Sequence, residues 1–345
     1  MKVRRKNINQ YLNIELVKKE RKRKKKGKII MNKLFKSFLA LTTILSLAAC
    51  GSSSSASTST DTATADAEAT ASSTESSETH ATGLIGKADV DLSNADGVLK
   101  DILDSGELVI GTSPDFPPNE YIDVESGEVK GSEIVLAQYI ANSLGVTLKV
   151  ETMDFNAVLV AVDTGKVDLG ISGFGYKADR AENYELSKGY QGTSEAACHT
   201  LLVFADEVDN YNTLDDFAGK KIDAQASSLQ EMYVTDEIPD AELTLVSTLD
   251  QAILDINAKK VDAVALPCTQ AKAYAEQSNG TLAKSNVDFD LTPYADYAGN
   301  VIAAKKGETS LIEAINQIID DVNDSGIYAE WYATAKTEAG ITDGE

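Results

Sequence analysis

The stretch Leu108-Val109-Ile110-Gly111-Thr112 is a short continuous apolar run, and the 60 or so residues after it repeat one pattern. From Ser132 to Leu144 the apolar positions Ile134, Ala137, Ala141 and Leu144 share one helical face, with Gly145 as the stop. Val146 to Glu151 then reads as a strand, Asn156 to Thr164 as a helix ending at Gly165, and Val167 to Ile171 as a third strand. Strands separated by amphipathic helices pair in parallel, because each helix must carry the chain back across the sheet. After Asp206–Asn212 the pattern restarts, with strands at Lys221–Gln225, Leu243–Val246 and Val261–Leu266 and helices at Ser228–Val234 and Leu249–Ala258. A last strand near Asn300–Ala304 precedes helices over Ser310–Asn323 and Ile327–Thr337. Two such cycles predict two α/β lobes with a cleft between them, where small molecules usually bind.

The ends of the chain differ in character from this body. The formal charge of −22 over 345 residues is an average: residues 1–30 carry 13 Lys/Arg against 2 Asp/Glu, and residues 31–49 add only Lys33 and Lys36. From Cys50 onward there are 17 basic and 52 acidic residues, a net of −35. A body of that charge does not neutralise phosphates, so nucleic acid is excluded as a partner. Residues 33–50 form a short positive region, an apolar core and small residues ahead of a cysteine, the layout of a secretory signal. Its end, Leu47-Ala48-Ala49-Cys50 before Gly51, resembles the bacterial lipobox, which implies lipidation at Cys50 with acyl chains such as palmitate. Such chains would hold the protein on the outer face of the cell membrane; an uncleaved anchor helix is the alternative. The 1–30 segment does not fit in front of such a signal, and Met31 is the expected start. Residues 50–82 are nearly all Ser, Thr, Ala, Asp, Glu and Gly, too poor in apolar side chains to fold, and are expected to be a disordered tether.

Several phrases occur together in an order that resembles the bacterial extracellular solute-binding proteins of family 3, which serve amino-acid ABC importers. They are Gly106 to Thr112 with Phe116-Pro117-Pro118, Gly165 to Gly173 followed by Arg180, Leu214 to Lys221, and Val261-Asp262-Ala263-Val264. The resemblance implies a type II periplasmic-binding fold: two Rossmann-like lobes joined by two hinge strands, with lobe 1 at 97–204 and 290–340 and lobe 2 at 205–289. It also implies a binding protein, not an enzyme, with no cofactor, acting as a monomer beside a permease and an ATPase. A ligand-sensing lipoprotein of the same fold, or an enzyme grown on it, are the alternatives.

An amino-acid carboxylate suits a planar guanidinium, which offers two parallel charge-assisted hydrogen bonds. Arg180 takes the position of the family's carboxylate-binding arginine; a surface arginine paired with Asp179 or Glu182 is the competing reading. Ser172 and Gly173 fall where the family offers hydroxyl or amide donors. Ser228 can cap a lobe 2 helix whose first amides, with that of Leu229, favour an anion. Phe116 matches an aromatic that stacks on the ligand, Phe174 is either a facing wall or core, and Phe155 is expected in the core.

The amine end of the site departs from the family. The two acidic positions that commonly pair with the ligand's ammonium are Ser113 and Pro267, leaving Asp115, Glu120 or Glu195 as substitutes nearby. Cys198 and Cys268 either form a disulfide or remain as two buried thiols. With only His80 and His199 in the chain, no histidine pair can bind a metal and no Ser-His-Asp set is available. His199 is expected to be a packed strand residue.

Overall fold

The computed structural model describes residues 85–190, 198–297 and 299–341. Cys50, the signal, the tether and Glu195 lie outside the described residues. The elements run α1 (Gly97–Ser105), β1 (Glu107–Thr112), β2 (Asp115–Phe116), β3 (Glu120–Ile122), β4 (Val129–Lys130), α2 (Ser132–Leu144), β5 (Thr147–Thr152), α3 (Phe155–Asp163), β6 (Leu169–Gly170), α4 (Ala178–Asn183) and β7 (Tyr184–Leu186). They continue with β8 (His199–Phe204), β9 (Lys221–Gln225), α5 (Leu229–Glu237), β10 (Glu242–Val246), α6 (Leu249–Asn257), β11 (Ala263–Pro267), α7 (Cys268–Gln277), β12 (Leu282–Asp288), β13 (Ala303–Lys305), α8 (Thr309–Ser325) and α9 (Ile327–Glu338). Among these helices none is long and apolar enough to cross a membrane.

Two five-stranded sheets result, in the orders β5-β1-β6-β13-β7 and β10-β9-β11-β8-β12. In the first, β1 runs parallel to β5 in unbroken register from Glu107↔Thr147 to Thr112↔Thr152, and β13 enters antiparallel beside β6. In the second, β9 is parallel to both neighbours, whereas β8 is antiparallel to β11 and β12. Strand β8 was assigned to lobe 1 on sequence, but its pairing places it in the second sheet. Its pairing decides this: His199 to Val203 is buried without a break and needs neighbours on both edges, and β11 and β12 of the second sheet supply them.

Side-chain alternation divides each sheet between two packing layers. In the second sheet Leu201, Val203, Ala263 and Ala265 face α5 with Tyr233 and Val234, while Leu202, Val264 and Leu266 face Leu249, Ala252 and Ile256 of α6. In the first, Ile110, Leu169 and Ile302 pack with Leu136 and Ile140 of α2 and Ile315, Ile318 and Ile319 of α8. On the other face, Val158 of α3 meets Phe155, Phe174 and Ala303. Helix α2 has the bounds read from its periodicity, and Gly145 stops it at φ +72°, donating to the carbonyls of Ala141 and Asn142.

Cys198 and Cys268 are joined as a disulfide with Cα atoms 5.4 Å apart, pinning the start of β8 to the start of α7. The small sheet β2-β3-β4, the short α4 and β7, and α7 were not foreseen. Strands of two or three residues carry too few positions to show a period, and α7 follows β11 directly, with no turn residues between.

Ile318 is wholly buried under α2, so Ile318→Ala is expected to cost about 2–5 kcal/mol of stability. The midpoint of a chemical denaturation curve reads this directly.

Candidate binding site between the two lobes

A cavity of about 230 Å³ lies where both lobes contribute lining. Lobe 1 supplies Phe116, Glu120, Ser172, Gly173 and Arg180, and lobe 2 supplies Gln225, Ser228, Leu229, Gln230 and Pro267. Most of these residues sit at or just beyond the carboxyl ends of strands. In open α/β sheets ligands collect there, because successive loops diverge.

Arg180 comes from α4 and is 5% exposed. Its Nη1 donates to the Gly175 carbonyl, its Nη2 donates to Ser227 O at 3.0 Å across the cleft, and the guanidinium carbon lies 4.9 Å from the Phe174 ring centre. Asp179 meets only the Arg180 backbone N–H, and none of the ion pairs among the described residues involves the guanidinium. Burial lowers the Arg180 pKa to about 10, partly opposed by Asp179, so the group stays cationic at neutral pH. A desolvated guanidinium held by two carbonyls still has N–H groups to offer an anion.

The segment from Ser172 to Gly175 passes between this arginine and two buried glutamates. Gly173 adopts φ +58°, and a Cβ there would stand 3.0 Å from the Phe116 ring. A Cβ at Gly175 would run into Leu229 Cδ1, so a larger residue there requires the Leu229 side chain to move aside. Gly173 N–H donates to Glu133 Oε2 at 2.8 Å, and Ser172 Oγ donates to Glu120 Oε1 at 3.2 Å while accepting from Ser113 N–H at 2.9 Å. These donors, expected to serve a ligand, are engaged by the protein's own carboxylates. Burial, then the like charges of Glu133 and Asp115, push the Glu120 pKa well above its ordinary value.

Lobe 2 receives lobe 1 through Asp115. Its Oδ1 accepts from Ser113 Oγ at 2.9 Å, and its Oδ2 accepts from Gln225 Nε2 at 3.0 Å and Leu249 N–H at 2.7 Å. Gln270 Nε2 adds a bond to Pro117 O at 3.1 Å. Ser228 caps α5 by accepting from Glu231 N–H at 3.2 Å. His199 is buried on β8 with Gln230 Nε2 2.8 Å from its Nδ1; burial drops its pKa to about 4, so it is neutral.

Of the residues singled out on sequence, Arg180, Ser172, Gly173, Phe116, Ser228, Leu229 and Pro267 line the cavity together. Ser113 and Phe174 do not. Ser113 turns to Asp115, and Phe174 is wholly buried against Phe155, with ring centres 4.7 Å apart, where it supports Arg180 from behind. Phe155, expected in the core, both packs there and reaches the cavity edge. Gln225, Gln230, Asn119, Asn300 and Tyr233 escaped sequence reading. Gln230 alone carried a local signal, standing two residues beyond a helix-capping serine.

A model of the bacterial extracellular solute-binding proteins, family 3, matches residues 108–335. The chain belongs to this family. It is 22% identical over 247 residues to the L-cystine-binding protein TcyJ of Escherichia coli, covering 70% of this chain and 89% of that one. It is 26% identical to the arginine-binding extracellular protein ArtP of Bacillus subtilis, covering 67% and 88%. Among solved structures, an amino acid ABC transporter substrate-binding protein from Streptococcus pneumoniae, bound to L-arginine, superposes with a TM-score of 0.64 at 30% identity, covering 72% of this chain and all of that one. An ancestral amino acid-binding protein described as a precursor of cyclohexadienyl dehydratase, 21% identical with a TM-score of 0.58, shares the fold.

Two outcomes are expected. Asp115→Ala removes the acceptor that ties β2 to Leu249 and Gln225, so small-angle scattering should show a larger radius of gyration, and the lobes should open. For Glu120 the folded state holds its proton more tightly than the unfolded chain, so its contribution to stability is lost as pH rises from the ordinary carboxyl range through the raised folded value. Glu120→Gln should therefore stabilise the unliganded protein more at neutral than at acid pH, as read by thermal melts.

Proposed function

We propose that this chain is the substrate-binding lipoprotein of an ABC importer, anchored through Cys50 on the outer face of the cell membrane. It captures an amino acid or a related small carboxylate between its lobes and delivers it, as a monomer, to a membrane permease and its ATPase. One observation carries the reading: the Arg180 guanidinium is buried beside the cavity, held by the carbonyls of both lobes, with no ion pair among the described residues. A ligand carboxylate accepting from its remaining N–H groups would offset the cost of that desolvated charge. Because Arg180 bonds to Ser227 of the opposite lobe, a ligand on it would also favour closure, and the closed pair of lobes is the form a permease can distinguish. On the lobe 2 side, Ser228 and the Leu229 amide at the start of α5 add an anion-favouring helix end. Relatives named for cystine and arginine support an amino acid as the cargo.

A thermal-shift screen against amino acids, their derivatives and small carboxylates tests this, since a ligand that binds only the native state raises Tm. Hits are expected to carry a carboxylate. Arg180→Ala should weaken them by roughly 1.5–3 kcal/mol or more, the worth of a charge-assisted hydrogen bond. A best hit that is a cation without any carboxylate would overturn the assignment. Metabolic labelling with a palmitate analogue checks the anchor, with label expected on the wild-type chain and lost in Cys50→Ala.

A further inference from the structure

We propose that Gln270 reads the closed cleft and the ligand with one amide: its nitrogen bonds to lobe 1, and its oxygen accepts from an N–H or O–H of the ligand. The inference rests on the cleft being the binding site, as argued above. It adds that the cargo is a small carboxylate which also presents a hydrogen-bond donor to the lobe 2 wall.

Helix α7 seats the β2 segment of lobe 1. In its first turn Gln270 Nε2 donates to Pro117 O at 3.1 Å, and one turn further on Tyr274 Oη donates to Asp115 O at 3.5 Å. Phe116, between these two carbonyls in sequence, packs into the same apolar cluster as Ala271 and Tyr274. Pro117 and Pro118 have no N–H, so the lobe 1 backbone offers no donor at this point and the nitrogen end of the amide must face it. The start of α7 is held as well. Cys268 is joined to Cys198 and its N–H donates to Cys198 O at 2.9 Å, while Ala271 and Ala273 are buried.

The oxygen end is left over. Gln270 is 2% exposed and lines the cavity, yet its Oε1 is buried with no hydrogen-bond donor. Among the described residues it is the only side-chain amide atom so placed. The other amides of the cavity wall are engaged: Gln225 Nε2 donates to Asp115 and Ser247 O, Gln230 Nε2 meets His199 Nδ1, and Asn119 and Asn300 donate to Glu133. A buried acceptor without a donor costs more than a made bond gains, so native proteins normally supply one. Gln270 borders the cavity, and a ligand there can supply it.

Because Nε2 reaches Pro117 only when the lobes meet, closure both aims Oε1 and removes it from water. A ligand donor therefore finds a stronger acceptor in the closed form than in the open one, which biases the lobes toward closure. A neutral amide oxygen accepts from ammonium, amide or hydroxyl alike, so it selects for a donor and not for a charge. Carboxylates without another polar hydrogen are disfavoured, since they leave the oxygen unpaired.

Isothermal titration of the full chain in detergent, wild type and Gln270→Met, tests this. Methionine keeps the length of the side chain and removes both amide ends. The panel pairs leucine, glutamine and arginine with analogues lacking one donor group: the deamino acid in each case, and for the last two the amino acid with an alkyl group in place of the side-chain amide or guanidinium. On wild type, removing one donor group from the tightest binder should cost about fivefold or more in affinity. Gln270→Met should weaken the parent ligand by a similar factor and leave that analogue little changed. Loss of the Pro117 bond alone weakens every ligand equally, and a general loss of stability cancels because each comparison sets two ligands on one protein. The proposal is overturned if Gln270→Met leaves every affinity within about a factor of two, or weakens parents and analogues alike. It is also overturned if no donor-bearing member binds, or if the tightest binder is a carboxylate with no N–H or O–H. If Arg180→Ala abolishes binding while Gln270→Met has no selective effect, the cleft remains the binding site and only the role of Gln270 fails. If Arg180→Ala leaves binding intact, the reading of the cleft fails and this proposal with it.

Discussion

Everything at the cleft depends on how two charged side chains are desolvated at the junction of the lobes. Asp115 projects from lobe 1 and is satisfied by Gln225 and Leu249 of lobe 2; Arg180 projects from lobe 1 and reaches Ser227 of lobe 2. A buried charge tolerates separation from its partners poorly, because each lost bond leaves an uncompensated group in a medium of low polarity. These contacts therefore couple the relative position of the lobes to the state of the cavity. Separating the lobes returns both groups to water, and closing them makes the hydrogen bonds intramolecular.

Small residues make that closure possible. Ser172 to Gly175 leaves β6 and passes under Phe116 and against Leu229, with Gly173 in the left-handed region and Gly175 packed directly against the Leu229 side chain. The same backbone carries Arg180's carbonyl partner and occupies the donors of Ser172 and Gly173 with Glu120 and Glu133. One short segment thus bonds both to the buried arginine and to the two buried glutamates. Its conformation, unlike that of the flanking sheet, is held by side chains from five separate elements, those of Phe116, Glu120, Glu133, Arg180 and Leu229. The disulfide between Cys198 and Cys268 ties β8 to α7 at the point where the chain enters the second sheet.

The body's net charge of −35 from Cys50 onward sets the wider field against which the site works. An anion approaching such a surface is repelled until the buried guanidinium acts at short range, whereas a molecule with both signs feels little net repulsion. Family 3 relatives bind cystine and arginine by name, and both are molecules that carry charges of both signs.

The two sheets were legible because their strands and helices are periodic: Leu108 to Thr112, Ser132 to Leu144 and Lys221 to Gln225 announce themselves by apolar spacing and by glycine stops, which act locally. The chemistry types at the site were legible for a similar reason, since Arg180, Ser172 and Ser228 stand in short phrases of fixed order. Sequence could not assign β8 to a sheet, because His199 to Phe204 is equally apolar toward either lobe and only pairing partners 60 to 88 residues away decide it. Nor could it tell Ser113 from Glu120, or Phe174 from Phe116. Each pair offers suitable chemistry, and the choice depends on which side chain finds its hydrogen bonds or its packing elsewhere. Residue types and local periods determined what the cleft could contain. Tertiary structure, by satisfying Asp115 across the two lobes and Glu133 within lobe 1, decided which side chains are already engaged and which line the cavity.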